Sequence, residues 1–287
     1  MEEFLQRAQV LIEAIPYIRT FHGKSFIIKY GGNAMINPEL KEAVILDIIL
    51  LKYLGLNPIV VHGGGPEITE MLKRIGKESH FYQGLRVTDQ ETMKIVNMVL
   101  AGKINKELVA MLNRFGGKAV GVSGQDGHLL VAEKKIFPGV KEDLGFVGEV
   151  KSVNPEIINL LIRESYIPVV ATVGVDTDGE IYNINADTVA GKLAAALGAE
   201  KLIILTDVEG IFASPEDSAP ISALGIDQAK EMILAGQISG GMVPKVESCI
   251  YALQHGVSRT HIIDGRQFHS LLLEVLTDRG IGTMVMA

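Results

Sequence analysis

Apolar residues along the chain follow two alternating rhythms. The runs SFIIKY, NPIVVHGGG, GKAVGVSG, YIPVVATVG, EKLIILTDVEG and RTHIID each hold a short continuous apolar core and end in Gly, Asp or Ser. Cores of that kind predict strands covered on both faces. Between them, PELKEAVILDIILLKYLG and TVAGKLAAALG repeat their apolar positions at helical spacing. The alternation predicts an α/β fold: an open, mostly parallel central sheet with helices on both faces, built from right-handed βαβ crossovers. In such sheets ligands bind beyond the carboxyl ends of the strands, where these glycines fall.

Three stretches stand outside the rhythm. LLVAEKKIFPGVKEDLGFVGEVKSV reads as a strand pair with a loop, an excursion at the sheet's edge, and ASPEDSAPISALG as a turn-rich loop. At the start, Phe4, Leu5, Ala8, Leu11, Ile12 and Ile15 recur at helical spacing, with Pro16 where the pattern stops. This predicts an amphipathic N-terminal interaction helix over residues 1–20. The turn signals of VGVDTDGEIYN place a lobe boundary between Gly174 and Asn183, giving lobes over 21–178 and 179–287.

Composition narrows the function. With 47% hydrophobic and 21% charged residues in 287, the chain is globular rather than disordered. A net charge of -7 gives no general attraction for nucleic acid or an anionic membrane, so a phosphate site must be local. No apolar run reaches the ~20 residues that span a bilayer, and the charged, acidic start is not a signal peptide. The lone Cys249 has no internal disulfide partner, so a reducing compartment, the cytoplasm, is expected.

Common phosphate and catalytic motifs fail. Gly23-Lys24-Ser25 imitates a P-loop tail, but Ile18 stands where the upstream Gly belongs and the run precedes its strand. There is no G-x-G-x-x-G, no Cys/His metal cluster and no H-E-x-x-H, and GVSGQ at 121–125 is not a G-x-S-x-G elbow.

What remains is a spaced set. Lys29-Tyr30-Gly31-Gly32-Asn33 ends the first strand, where glycine amides can approach a phosphate beside a lysine. His62-Gly63-Gly64-Gly65-Pro66 ends the next, with proline suited to a first helical turn whose free amides face an anion. Arg86 lies in the turn GLRVT. Asn185 or Asp187 in YNINAD either caps the following helix or serves a site. Gly240-Gly241-Met242-Val243-Pro244-Lys245 offers a second glycine-rich loop with a lysine.

In this order IIKYGGNAM, VVHGGGPEI, GLRVT, YNINADTVAG, LTDVEGIF and GGMVPKVES closely resemble the N-acetylglutamate kinase branch of the amino-acid kinase superfamily. The resemblance runs from about Ser25 to Ala287. It implies ATP-dependent phosphorylation of the side-chain carboxylate of N-acetyl-L-glutamate in arginine biosynthesis, with Mg²⁺ held mainly by the ATP phosphates and no metal ligand from the protein. Lys29 and Lys245 would flank the transferring phosphoryl group, and Asp187 would hold both lysines. Gly31, Gly32 and Gly64 would donate N–H bonds to phosphoryl oxygens. Gly64, Gly65, Arg86, Asn183 and Asn185 would bind acetylglutamate in the N-terminal lobe. Thr206, Asp207, Gly210, Ile211, Ile238, Gly240, Gly241 and Met242 would surround the nucleotide in the C-terminal lobe.

Arginine-sensitive members carry a similar N-terminal helix that interlaces dimers into a hexamer, a trimer of dimers. They bind L-arginine at positions matching Tyr17, His261, Glu274 and Gly280. A homo-oligomer inhibited by arginine is therefore the expectation. Alternatives are a related kinase such as glutamate 5-kinase, and a non-catalytic arginine sensor of the same fold. The sensor would not need Lys29, Asp187 and Lys245 together.

Overall fold

The computed structural model describes residues 2–32, 35, 37–136, 143–214, 217–278 and 280–287. Its strands are β1 (Ser25–Tyr30), β2 (Asn57–His62), β3 (Phe81–Tyr82), β4 (Leu85–Arg86), β5 (Ala119–Ser123), β6 (Leu130–Lys134) and β7 (Gly148–Val153). They continue as β8 (Ile167–Ala171), β9 (Val173–Val175), β10 (Ile181–Asn183), β11 (Lys201–Thr206), β12 (Ala223–Gly225), β13 (Arg259–Asp264) and β14 (Thr283–Met286). Eight form the central sheet in the order β12-β14-β13-β11-β1-β2-β8-β5. Every neighbouring pair is parallel except β13 with β14.

The continuous apolar runs are explained by two separate cores, one on each face. Strand periodicity sends Phe26, Ile28, Val60 and Ile203 into one core with Val44, Ile48, Val96 and Leu108. Ile27, Ile59, Leu202 and Ile204 enter the other with Val189, Leu193, Val246 and Leu253. Helices Pro38–Tyr53 and Asn105–Arg114 thus cover one face, and Ala186–Ala196 and Met242–Gln254 the other. Each fully buried Leu, Ile or Val in these layers contributes about 1.5–3 kcal/mol.

Two expectations change. The strand pair read at the sheet's edge, β6 and β7, belongs instead to a separate four-stranded sheet, β10-β9-β6-β7. The turn signals at 174–183 make the β9–β10 hairpin, and Val131 pairs with Val175, so a local hairpin supplies the edge. The middle of the β6–β7 connection, 137–142, lies outside the described residues. Second, Pro16 does not end helical structure. One helix runs Glu2–Glu13 and another Ile15–Phe21, with Pro16 in the first turn of the second, where its missing N–H costs nothing. Phe4, Leu5, Leu11, Ile12 and Ile15 are all exposed. No helix among the described residues is long and apolar enough to cross a membrane.

Candidate functional site

Lys29 occupies the fifth position of β1 and is buried, with β11 and β2 paired on either side. Asp187 sits in the first turn of the Ala186–Ala196 helix and Lys245 in the first turn of Met242–Gln254. Their side chains converge: Lys29 Nζ lies 3.1 Å from Asp187 Oδ1, and Lys245 Nζ donates to Oδ2 at 2.8 Å. Burial pushes the Asp187 carboxyl upward, yet the two ammonium groups outweigh it and hold the group below its ordinary range. Burial, aided by Lys245, lowers the pKa of Lys29 against the pull of Asp187. The result is one carboxylate holding two cations at the edge of a cavity.

Asn185 settles the capping question. Its Oδ1 accepts from the N–H groups of Asp187 at 2.9 Å and Thr188 at 3.1 Å, so Asn185 is the cap and Asp187 is released for the lysines. Asn185 still lines the cavity, with its amide oxygen committed to that cap.

Gly31, Gly32 and Gly64 stand where side chains would collide, whereas Gly65 has open space around it. A Cβ on Gly31 would lie 2.9 Å from Lys29 Nζ. Gly32 has φ +71° and packs against the Asp207 carboxylate. At Gly64 a Cβ would strike Ile104 and come within 2.8 Å of Leu100. Gly65 starts the Gly65–Arg74 helix with Pro66 in its first turn.

Gly63, Gly64, Gly65, Arg86, Asn183 and Asn185 meet Lys29 and Asp187 around a cavity of about 190 Å³. Arg86 is buried on the short β4 strand. One of its terminal nitrogens donates to Gly65 O at 2.9 Å and Thr69 Oγ1 at 2.7 Å, the other to Ser79, and the guanidinium lies 4.7 Å from the Phe81 ring centre. All these partners are neutral, and among the described residues no carboxylate pairs with Arg86, so its charge remains available to an anion. Asn183 Nδ2 donates to Thr88 Oγ1 at 3.2 Å. Sequence reasoning missed Phe81, Leu100 and Thr172 in this wall. Leu100 belongs to a π-helical turn, Met98–Ile104, whose altered spacing leaves no helical-period signal.

The residues proposed for the nucleotide are less gathered. Thr206 ends β11, its carbonyl taken by Gly265 N at 2.8 Å, and Asp207 faces Gly32. Gly240, at φ +56°, and Gly241 precede the helix that Met242 opens. Ile211 and Ile238 are core residues, and Ile211 N donates to Thr283 Oγ1 at 2.8 Å beside Gly210. Among the described residues no three His, Cys, Asp or Glu side chains are grouped to hold a metal.

A second cavity of about 330 Å³ contains Tyr17, His261, Glu274 and Gly280 together. It lies at the amino ends of β11 and β13, away from the glycine-rich turns. Glu274 Oε1 meets His261 Nδ1 at 2.8 Å and Lys201 Nζ at 3.4 Å, and Oε2 accepts from Ile281 N at 3.3 Å. Burial raises the Glu274 carboxyl, but these partners prevail and the net shift is downward. Burial drives His261 and Lys201 down despite Glu274. Lys201 and Arg259, both in the lining, were missed by sequence reasoning: a lysine or arginine opening a strand carries no functional signature.

The sequence model of the amino acid kinase family matches residues 24–264. An acetylglutamate kinase of Moorella thermoacetica is 58% identical over 98% of both chains, and one from Halothermothrix orenii 56% identical over 100% of this chain and 99% of its own. Among solved structures, N-acetylglutamate synthase from Neisseria gonorrhoeae complexed with coenzyme A and N-acetyl-glutamate superposes with TM-score 0.85 at 25% identity. The superposition covers 98% of this chain and 63% of that one, so this chain spans under two thirds of the synthase. Giardia lamblia carbamate kinase bound to AMP-PNP shares the fold with TM-score 0.63 at 15% identity, over 92% and 98% of the two chains. By this match, its sheet order and its near-complete alignment with such relatives, the chain belongs to the amino acid kinase family.

Proposed function

We propose that this protein transfers the γ-phosphoryl group of MgATP to the side-chain carboxylate of N-acetyl-L-glutamate, giving ADP and N-acetyl-L-glutamyl 5-phosphate, in cytoplasmic arginine biosynthesis. The observation that carries it is Asp187 clamped between Lys29 and Lys245 at the wall of a cavity that also holds Arg86. The full-length acetylglutamate kinase relatives support the same substrate. The acceptor is a carboxylate, ionised at neutral pH, so no strong base is required. Alignment and charge neutralisation suffice: one acceptor oxygen attacks phosphorus while the bond to the ADP oxygen breaks. Lys29 and Lys245 stabilise the equatorial oxygens, helped by Gly31, Gly32 and Gly64 amides. Arg86 takes the α-carboxylate, with Asn183 and Gly65 nearby. Magnesium arrives as part of the nucleotide. Phosphate oxygens would hold it, and it would neutralise phosphate charge, while Asp187 stays engaged with Lys29 and Lys245.

Lys245→Ala tests the reading. Turnover should fall by roughly 10² or more with little change in either Michaelis constant. Near-normal turnover with only a raised Michaelis constant would refute it.

The second cavity and the exposed apolar side chains of the N-terminal helix support arginine regulation in a homo-oligomer, a trimer of dimers. The ligand's carboxylate suits Lys201 or Arg259, and its guanidinium suits Glu274. Removal of residues 1–16 should leave a catalytically active dimer with much weaker arginine inhibition. A truncated protein that light scattering still finds hexameric, or a full-length enzyme indifferent to millimolar arginine, would overturn this part alone.

A further inference from the structure

His62 closes β2 directly before the three glycines, and its ring is wholly buried. A neutral imidazole has one donor and one acceptor nitrogen, and a buried one must satisfy both. Nδ1 lies 3.0 Å from the carbonyl oxygen of Gly63, and Nε2 lies 3.2 Å from Nδ2 of Asn105.

Asn105 decides which nitrogen carries the proton. It follows the π-helical turn and is itself buried. Its Oδ1 accepts from Lys106 Nζ at 3.1 Å, and an ammonium can only donate. Of its two Nδ2 hydrogens, one goes to the carbonyl oxygen of Val169 at 2.9 Å, which can only accept; the Val122 carbonyl, at 3.4 Å, is the longest contact and leaves the second hydrogen to His62. Both constraints fix the amide the same way round. Nδ2 therefore donates to His62 Nε2, and the ring proton is left on Nδ1, where it donates to Gly63 O. Burial holds the imidazole pKa down at about 4, so the ring stays neutral and in one tautomer.

The consequence falls on the next peptide. In a trans peptide the C=O and the following N–H point in opposite directions across one plane. Fixing Gly63 O therefore fixes the direction of the Gly64 N–H, and Gly64 lines the cavity with Lys29 and Arg86. The π-helical turn that precedes Asn105 also presses Leu100 and Ile104 against Gly64, confining the plane from a second side.

We propose that His62 and Asn105 are positioning residues: a buried tautomer relay that sets the Gly63–Gly64 peptide so that the Gly64 N–H meets the phosphoryl oxygen in the transition state. This rests on the acceptor-site reading of that cavity.

Nitrogen-15 histidine NMR on the full-length wild-type protein, with His62 assigned by its loss in His62→Gln, tests the relay's geometry. The expected signal is a neutral Nδ1–H tautomer from pH 6 to 8. An Nε2–H tautomer or an imidazolium at pH 6 overturns the proposal, and this measurement needs no active variant.

Kinetics test the consequence. His62→Asn sets an amide donor near the Nδ1 position, whereas His62→Gln reaches toward Asn105 and abandons Gly63 O. His62→Asn should keep turnover within about threefold of wild type. His62→Gln should lose about tenfold or more, with the ATP Michaelis constant unchanged and similar melting temperatures for both variants. Equal losses that track stability mean a structural role only and overturn the relay. Normal turnover in His62→Gln beside a crippled Lys245→Ala removes the relay and leaves the acceptor-site reading. Normal turnover in both variants sinks that reading as well.

Discussion

Replacing Asp187 with asparagine is the most direct probe of the two-lysine clamp. The exchange keeps shape and deletes one charge. At an effective dielectric of about 20, unit charges about 3 Å apart attract by about 5 kcal/mol, and Asp187 makes two such contacts, at 3.1 and 2.8 Å. Water entering the site and movement of Lys245 recover part of this, so we expect a stability loss of about 3–5 kcal/mol in the free enzyme, as for other broken buried pairs. The catalytic effect should be larger than loss of one transition-state contact, because both lysines lose their anchor: about 10³ in turnover. The pH dependence gives a sharper signature. Burial already lowers Lys29, and Asp187 is what holds it up. Without Asp187 the ammonium loses its proton at lower pH, so the alkaline limb of the turnover profile should move to lower pH. Product acyl phosphate can be trapped with hydroxylamine across the pH range. Turnover within threefold of wild type with an unmoved alkaline limb would refute the clamp.

Two further substitutions separate binding from folding. Arg86→Lys retains a charge but not the fork that spans Gly65, Thr69 and Ser79, so acetylglutamate affinity should fall by about 1.5–3 kcal/mol with ATP affinity unmoved; equal loss for both ligands would contradict the assignment. Asp47 is fully buried, 2.6 Å from His269 Nδ1, and burial raises its pKa to about 6, so between its unfolded value of 3.8 and about 6 the folded state holds a proton the unfolded state has released and stability falls as pH rises. Asp47→Asn removes that loss: denaturant titrations should show the variant gaining up to about 3 kcal/mol on wild type from pH 4 to pH 7, and a constant difference would show that Asp47 does not titrate in that window.

How much the sequence reveals depends on whether a feature is local. The strands of the central sheet are legible because burial on two faces writes itself as an unbroken apolar run, as in Phe26–Ile28 or Leu202–Leu205. β14 is not legible. It has four residues and takes its place by antiparallel pairing with β13 and parallel pairing with β12, both long-range events, and β12 itself ends the stretch read as a turn-rich loop. The glycine-rich turns and their lysines stand out because close approach to an anion restricts residue choice, which local sequence records. Residue type and spacing alone could not divide the roles of Asn185 and Asp187, since both residue types cap helices. Only the position of the lysines, 58 residues apart from Asp187 in the case of Lys245, assigns one to the helix and the other to the site. Lys201 escaped notice because its partner Glu274 is 73 residues away.

The charged cavity and the first glycine-rich turn lie at opposite ends of β11. Lys201 opens the strand in the charged cavity, and Thr206 closes it next to Asp207, against Gly32. Five steps of about 3.3 Å put Lys201 and Thr206 about 17 Å apart, too far for a ligand at one end of the strand to touch the other. Any coupling therefore requires an element with two available arrangements. β11 itself is a poor one: every residue in it is buried, and it is paired on both sides. The Ser270–Leu276 helix is better suited. It carries Glu274, and its capping residue His269 reaches across to Asp47 on the Pro38–Tyr53 helix. That helix starts just beyond the first glycine-rich turn, capped by Asn37. The contacts between Glu274 and the helix that follows the first glycine-rich turn thus run through one short helix and a single buried carboxylate. Asp47 is the directional link in that chain of contacts: its 2.6 Å contact with His269 Nδ1 ties the two helices together where an apolar contact would set no hydrogen-bond geometry.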